Sequence, residues 1–193
     1  MASTELKPSW LTVPADNNEL TKRIWPQGTT RDADGEVVFG GVPSSDLTAQ
    51  FGTPLYVIDQ TEFERNGLAV KESLEAAAER IGTEAKVYYA GKAFLCTEVV
   101  RWVDALGLNV DVASGGELAI ALAAGIDPKR IGLHGNNKSA AEIGRAVSAG
   151  VGAIVIDSEI EIERIAATAG AQGRVQPVRI RVNTGVHADT HEF

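Results

Sequence analysis

The sequence predicts an α/β protein in which short parallel strands alternate with helices. Five apolar runs begin at residues 87, 108, 130, 153 and 177, and short runs of this kind are typical of strands buried on both faces. The segments between them are helix-like, and several end in glycine. Repeated βα units of this length predict a parallel sheet covered by helices, either a (β/α)8 barrel or a doubly wound sheet.

The N-terminal part of the chain has a different pattern. Residues 1–35 are rich in proline, glycine and asparagine turn signals and resemble an irregular leader. Residues 36–43 and 54–58 are rich in β-branched and aromatic residues and predict two short strands, with a short helix over residues 45–51 between them. We therefore expect a β-rich segment ahead of the alternating region.

A long amphipathic helix is predicted after Thr61, which has the spacing of a capping box with Glu64. Its apolar face repeats at intervals of three or four residues. The residues of that face are Phe63, Gly67, Val70, Leu74, Ala77 and Ile81.

The alternating region carries further helix start and stop signals. Ser-x-x-Glu sequences at Ser114, Ser139 and Ser158 predict three capping boxes. Glycine is suited to the left-handed residue that ends many helices. The glycines in that position are Gly107, Gly125, Gly150 and Gly170.

Composition excludes several classes of function. The 193 residues carry 18 Lys and Arg against 26 Asp and Glu, a net charge of −8, which argues against a nucleic-acid module. The sequence has no apolar run long enough to span a bilayer and no secretory signal pattern. Cys96 is the single cysteine, so a disulfide framework is excluded and a cytoplasmic protein is expected.

Polar residues stand at the carboxyl end of every predicted strand of the alternating region. In a barrel or an open parallel sheet, these ends form the edge at which ligands bind. The sequence therefore predicts a site at one face. The strand-end residues are Lys92, Asp111, His134, Asp157 and Arg181.

Lys92 is the strongest candidate, because it follows an apolar strand and precedes Ala93 and Phe94. Desolvation would favour the neutral amine, which can condense with an aldehyde. The alternative is a lysine that reaches solvent or pairs with Asp111.

The other polar residues leave alternatives open. Asp111 and Asp157 could orient the lysine or a cofactor, or could cap a helix or form a loop hydrogen bond, which is favoured for Asp157. Ser114-Gly115-Gly116 resembles a phosphate-binding turn, although a capping box explains it as well. The polar cluster of residues 134–138, which contains His134, Asn136 and Lys138, favours a site.

Two further features are weaker candidates. The C-terminal cluster of His187, Asp189, His191 and Glu192 mimics a metal site but has no matching ligands elsewhere, so no metal is expected. Cys96, one turn into the helix expected after Lys92, is interpreted as a packing residue because no neighbouring base could activate it.

Five motifs carry a resemblance to a known family. They are residues 51–59, 89–94 (Tyr-Ala-Gly-Lys-Ala-Phe), 111–118, 134–139 (His-Gly-Asn-Asn-Lys-Ser) and 181–193. From about residue 51 onward the sequence resembles the diaminopimelate decarboxylases, barrel enzymes dependent on pyridoxal phosphate (PLP) that are related to ornithine and arginine decarboxylases and, more distantly, alanine racemases.

The resemblance implies residue roles and an activity. Lys92 matches the lysine that holds PLP covalently, Asp111 and Arg181 match supporting residues near the cofactor, and His134 matches a motif of the same rim. His191 matches a position in the loop after the fifth strand. The implied reaction is decarboxylation of meso-2,6-diaminopimelate to L-lysine and CO2, in a cytoplasmic homodimer.

The resemblance also implies an incomplete barrel. About five of its eight strands are found, within residues 59–193, while residues 1–58 would join a separate β domain. The family's ring-stacking histidine, glycine-rich phosphate loop and Glu-Pro-Gly-Arg motif do not occur. The chain is therefore expected to be the N-terminal portion of the enzyme and inactive alone. The alternatives are an arginine- or ornithine-type decarboxylase, a racemase, or a non-catalytic PLP-binding or interaction module.

Overall fold

The computed structural model describes residues 8, 10, 11, 15–22 and 24–185 of the chain. They fall in two compact units, Met1–Arg65 and Asn66–Phe193. That residues 1–58 belong to a separate β domain stays a prediction.

A small antiparallel sheet dominates the first unit. Its strands are β1 (Thr29–Arg31), β2 (Val37–Phe39) and β3 (Val42–Pro43), in that order, and helix α1 (Ser44–Phe51) follows. The single strand predicted over residues 36–43 is wrong, because Gly40 and Gly41 form a tight turn that divides it into a hairpin. Both glycines have positive φ, 55° and 87°, a conformation that glycine adopts without a steric penalty.

The strand predicted over residues 54–58 is also wrong. These residues are extended, but they form no ladder with another described strand. Tyr56 is 97% exposed, so its aromatic ring is not buried against a sheet among the described residues. A β-rich composition produces a strand only where a partner supplies the hydrogen bonds.

Helix α2 (Gln60–Arg80) confirms the predicted long helix but begins earlier than expected. Asp59 caps it, because its carboxylate accepts a hydrogen bond from the Glu62 N–H at 3.1 Å. Thr61 lies inside the helix, so the capping box expected there is wrong. The predicted apolar face is largely uncovered: Val70, Leu74 and Ile81 are exposed.

The second unit is built around a five-stranded parallel sheet, which confirms the predicted α/β class. Every strand pairs with the next one in the chain, so the order shows no reversal of the kind that a doubly wound sheet contains. Strands that add one after another in chain order, each followed by a helix, are typical of a barrel. The strands are β4 (Tyr88–Ala90), β5 (Asn109–Val112), β6 (Ile131–Leu133), β7 (Ala153–Ile156) and β8 (Val178–Ile180).

Helices α3 (Thr97–Ala105), α4 (Gly115–Ala124), α5 (Ala140–Ala149) and α6 (Glu159–Ala171) connect these strands, and a short 3-10 helix (Pro128–Arg130) precedes β6. One face of the sheet packs against these helices, and the two layers form the hydrophobic core. The fully buried side chains of that core include Val100, Val110, Val112, Leu118, Ile131, Leu133, Ile143 and Ile154.

The opposite face of the sheet is polar. Register places Tyr88 beside Asn109, Asp111 beside Gly132, and Arg179 beside Val155. Because paired residues of parallel strands share a face and side chains alternate, these residues project away from the helix layer. In a barrel this is the face that turns inward.

The helix termini confirm only part of the expected capping. Ser139 and Glu142 form a complete capping box, and the Ser114 hydroxyl accepts from the Glu117 N–H at 3.2 Å. Ser158 makes no such bond, so the third box is wrong.

Three of the four glycine stop signals are confirmed. Gly107, Gly125 and Gly150 have positive φ at the ends of α3, α4 and α5. Gly170 lies within α6, so that stop signal is wrong, and Gly173, with φ of 61°, follows the helix instead.

Glu142 joins two neighbouring βα units. One carboxylate oxygen accepts from the Ser139 N–H at 2.8 Å and the other from the Gly115 N–H at 2.7 Å. These bonds, those of Ser139 first, lower the pKa of Glu142 below its ordinary value of 4.5.

We expect Glu142→Gln to destabilise the protein by about 1 kcal/mol at neutral pH, because the amide offers one acceptor oxygen instead of two. The pKa of Glu142 is lower in the folded state, so its charge stabilises the fold above pH 4.5 and this contribution is lost as the pH falls through the folded value. Urea unfolding from pH 7 downward measures the difference, with the exposed Glu163→Gln as control. An equal difference at every pH would contradict the role of the charge.

Within the part of the chain that the structure describes, no helix combines the length and apolar character needed to cross a membrane.

Candidate active site

A cavity of about 420 Å³ lies at the carboxyl ends of the parallel strands. Four of the five strand-end residues identified from the sequence line it, namely Lys92, Asp111, His134 and Arg181, whereas Asp157 does not. Its remaining lining residues are Ala90, Gly91, Val112, Ala113, Gly135 and Asn136. The volume lies within the usual range of small-molecule sites.

Asp111 and His134 form a pair in the cavity wall. Asp111 is the third residue of β5 and His134 directly follows β6, where its N–H donates to the Val112 carbonyl at 2.7 Å. The His134 Nε2 and Asp111 Oδ1 atoms are 3.0 Å apart. A Cβ on Gly132 would lie 2.7 Å from that oxygen, so a glycine at this position leaves room for the carboxylate.

The environment of Asp111 perturbs its titration. Burial is the largest influence and raises the pKa of the Asp111 carboxyl above its usual value. The neighbouring His134 and Arg179 act in the opposite direction and offset part of this rise. A half-buried carboxyl with a perturbed pKa, paired with an imidazole beside a cavity, is typical of a functional site.

Arg179 and Tyr88 belong to the same polar face, and the sequence analysis missed both. The Arg179 guanidinium lies 4.7 Å from the centre of the Tyr88 ring and donates a hydrogen bond to the Tyr88 hydroxyl. Both lie within strands, whereas only strand-end positions were considered. The alternation of Arg179 with Arg181 is the signal that could have identified this face.

Lys92 lies in the turn that follows β4. The Ala93 N–H donates to the Ala90 carbonyl at 3.0 Å, and the Gly91 N–H donates to the Asp111 carbonyl at 2.8 Å. A Cβ on Gly91 would lie 2.6 Å from that carbonyl oxygen, so the turn packs closely on β5. Lys92 itself is exposed among the described residues. The expectation that its apolar neighbours remove its amine from water is therefore wrong. Its side chain is accessible from the cavity.

Arg181 follows β8 and pairs with Asp157. The Arg181 Nε and Asp157 Oδ1 atoms are 2.7 Å apart, and the Asp157 side chain is 18% exposed. The interpretation of Asp157 as a helix cap is wrong, because Ser158 occupies the position before α6, and the alternative of a contact within the loops is the one observed. Asp157 instead fixes the guanidinium that lines the cavity.

The polar cluster of residues 134–138 divides between two locations. His134, Gly135 and Asn136 line the cavity, as expected for a site. Lys138 is 2% exposed and pairs with Glu161, at 2.8 Å between Nζ and Oε2, so it does not line the cavity. Glu161, interpreted from the sequence as a capping residue, is the buried partner of this lysine.

The remaining candidates have other locations. Ser114 caps α4, which confirms its capping role, and Cys96 directly precedes α3 rather than lying within it. His187, Asp189, His191 and Glu192 lie outside the described residues. Among residues 8–185 that are described, no group of His, Cys, Asp and Glu could hold a metal ion.

Comparison with known proteins extends these observations. The family model described as "Pyridoxal-dependent decarboxylase, pyridoxal binding domain" matches residues 68–193, about two thirds of the chain. The chain belongs to this family. The match includes all four candidate residues of the cavity and the whole parallel sheet.

Individual members of the pyridoxal-dependent decarboxylase family are similar to the chain. Diaminopimelate decarboxylase of Mycobacterium tuberculosis is 50% identical over 174 residues, which are 90% of this chain and 37% of that protein. The crystal structure of diaminopimelate decarboxylase from M. jannaschii has a TM-score of 0.74 and 32% identity, covering 86% of this chain and 38% of that one.

A third relative, diaminopimelate decarboxylase from Helicobacter pylori complexed with L-lysine, has a TM-score of 0.64 and 28% identity, over 77% of this chain and 36% of that one. The chain thus spans little more than a third of the length of these decarboxylases and corresponds to the N-terminal part of their barrel.

The cavity fits the cofactor of the pyridoxal-dependent decarboxylases. It offers a primary amine for an aldehyde, the Lys92 Nζ, and a guanidinium for an anionic group, that of Arg181. The Asp111 and His134 pair adds polar groups to the lining of the same cavity.

Proposed function

We propose that the protein carrying this chain decarboxylates meso-2,6-diaminopimelate to L-lysine and CO2 with PLP as its cofactor. One observation carries the proposal: a cavity lined by Lys92, Asp111, His134 and Arg181 lies in a chain that is 50% identical to diaminopimelate decarboxylases.

We assign the covalent attachment of PLP to Lys92. When bound, PLP supplies an electron sink for the electron pair left on the α-carbon as the bond to the carboxylate breaks. Lys92 is the lysine that lines the cavity, whereas Lys138 is held in a buried ion pair.

The other residues of the site would bind and orient the cofactor and the substrate. The Arg181 guanidinium can donate to an anionic oxygen, and Asp157 fixes its direction through the 2.7 Å contact. The Asp111 Oδ1 and His134 Nε2 atoms are 3.0 Å apart, so the carboxylate can hold the imidazole in place at the cavity surface. The positive charge of Arg179 lowers the pKa of Asp111 and so partly offsets the effect of burial.

Assembly and location form part of the proposal. By resemblance to its family, the protein is expected to act as a cytoplasmic homodimer, with residues 1–58 joining a β domain. Sedimentation equilibrium of the purified protein at several concentrations would measure the oligomeric state directly.

The decisive test is an assay of the purified full-length protein with PLP and meso-2,6-diaminopimelate. We expect stoichiometric release of L-lysine and CO2, measured by chromatography and CO2 trapping. L-Ornithine, L-arginine and L-alanine are assayed in parallel, because they distinguish the alternative decarboxylases and a racemase. Preferential consumption of one of them, or PLP binding without turnover of any substrate, would contradict the proposal.

A further inference from the structure

A buried ion pair lies beside the cavity without lining it. Lys138, in the loop after β6, and Glu161, in the first turn of α6, are 2% and 1% exposed. Their Nζ and Oε2 atoms are 2.8 Å apart. Removing one partner of a pair this well buried leaves an uncompensated charge, whereas apolar replacement of both partners is often neutral or stabilising. Stability alone therefore does not account for a lysine and a glutamate here.

The hydrogen bonds of the pair join the loop after β6, which lines the cavity, to the turn after β7. Lys138 Nζ donates to the Gly135 carbonyl at 2.6 Å, and the Lys138 N–H donates to Glu161 Oε1 at 3.3 Å. Glu161 Oε2 also accepts from the Asp157 N–H at 2.9 Å. One carboxylate thus holds the loop after β6 and the turn after β7 together.

The loop after β6 lines the cavity directly, whereas the turn after β7 reaches it through Asp157, the partner of the lining residue Arg181. Gly135 follows His134, precedes Asn136 and has a φ of 109°, where a larger residue would be strained. Asp157 binds the Arg181 guanidinium at 2.7 Å. A shift of either loop would displace His134 and Asn136 relative to Arg181.

The charge of Glu161 is maintained despite its burial. Burial raises the pKa of the Glu161 carboxyl, but the Lys138 ammonium and the N–H groups of Asp157 and Lys138 outweigh this and leave the pKa below 4.5. The carboxylate is therefore ionised at neutral pH and available to all of these donors.

We propose that Lys138 and Glu161 are positioning residues that set the separation between the His134 and Asn136 wall of the cavity and its Arg181 wall. The proposal rests on the proposed function, because it assigns these residues to the geometry of the same cofactor and substrate site. Neither residue lines the cavity, so each acts through the loops that it holds.

The test compares single and double variants of the full-length protein. Lys138→Met leaves the buried Glu161 carboxylate without an opposite charge, and Glu161→Gln does the same to the Lys138 ammonium. We therefore expect both variants to lower the Tm by several degrees. The double variant Lys138→Met/Glu161→Leu removes both charges, and its Tm should return towards that of the wild type. It still lacks the bonds to Gly135 and Asp157, so we expect its kcat to stay about 100-fold lower, as a misplacement of about 1 Å can cause.

A second readout is independent of turnover. We expect the dissociation constant of PLP, measured by absorbance titration of the apoprotein, to rise about tenfold in the double variant. Glu161→Asp keeps the charge but shortens the side chain, so it should retain most of the Tm and lose kcat and PLP affinity, even if the double variant does not fold. Glu98→Gln, which removes an exposed ion pair with Arg101, is the control and should match the wild type throughout.

A double variant or Glu161→Asp with wild-type kcat and wild-type PLP affinity would overturn the positioning role and leave the ion pair purely structural. A wild-type protein that releases no lysine from diaminopimelate would instead contradict the proposed function. In that case the PLP titration alone still decides the positioning role.

Discussion

Lys92→Ala is expected to abolish covalent retention of PLP and to lower kcat for lysine formation by about 10⁴-fold, at the upper end of the contribution of one catalytic group. The amine lies at the edge of the cavity, in a turn fixed to β5 by the Gly91 hydrogen bond. An alanine cannot condense with the aldehyde, and Lys138 is held by Glu161.

Borohydride reduction of the PLP-loaded protein, followed by peptide mass spectrometry, locates the attachment without requiring turnover. We expect the mass of the reduced cofactor on the peptide that contains Lys92 in the wild type and on no peptide of the variant. Lys86→Ala is the matched control, because Lys86 is an exposed lysine at the opposite end of β4 and should leave attachment and activity unchanged.

The same substitution should leave the fold intact. Lys92 is exposed and forms no ion pair within the described residues, so its replacement is expected to change the free energy of unfolding by no more than about 0.5 kcal/mol. Loss of activity at unchanged stability separates a catalytic role from a structural one. Retention of the reduced cofactor on another lysine of Lys92→Ala would contradict the assignment.

The parallel sheet was predictable because its strands are continuous apolar runs at regular spacing. Each run from β4 to β8 was located to within one or two residues. Residues 54–58 have an equally β-rich composition but no pairing strand among the described residues. Pairing depends on distant chain segments, so composition alone does not determine it.

Helix starts show the same dependence on tertiary contacts. Ser139 and Glu142 satisfy each other locally, and the capping box forms as predicted. Ser158 and Glu161 have identical spacing, but Glu161 is drawn to Lys138, a partner 23 residues earlier in the chain. A local motif is realised only where no stronger distant partner competes for the side chain.

The part of the site formed by residues at strand ends was predictable from the sequence. Lys92, Asp111, His134 and Arg181 were found because polar residues directly follow apolar strands, and they line one cavity. Arg179 was missed because it lies within a strand, where its inward direction depends on register. Their catalytic roles stay predictions that the Lys92 variant begins to test.

Gly152→Ala is expected to destabilise the protein by about 3 kcal/mol or more, because the space for a side chain is occupied by backbone. A Cβ at this position would lie 2.0 Å from the Lys129 carbonyl oxygen and 2.8 Å from its carbon. The Gly152 N–H donates to the Pro128 carbonyl at 2.9 Å, so the entry to β7 is fixed against the 3-10 helix before β6. Relief of the clash would separate the paired residues Gly132 and Ala153.

Gly144→Ala is the matched control, since the same methyl group is added to a glycine with nothing within 4 Å of the new atom. Gly144 lies inside α5, where alanine is the better helix former, so this variant should be stabilised by about 0.5–1 kcal/mol. Urea unfolding of both variants measures the two effects, which have opposite signs. A Gly152→Ala protein as stable as the wild type would show that β6 and β7 do not approach as closely as described, and the positions of His134 and Asp157 at their ends would then need revision.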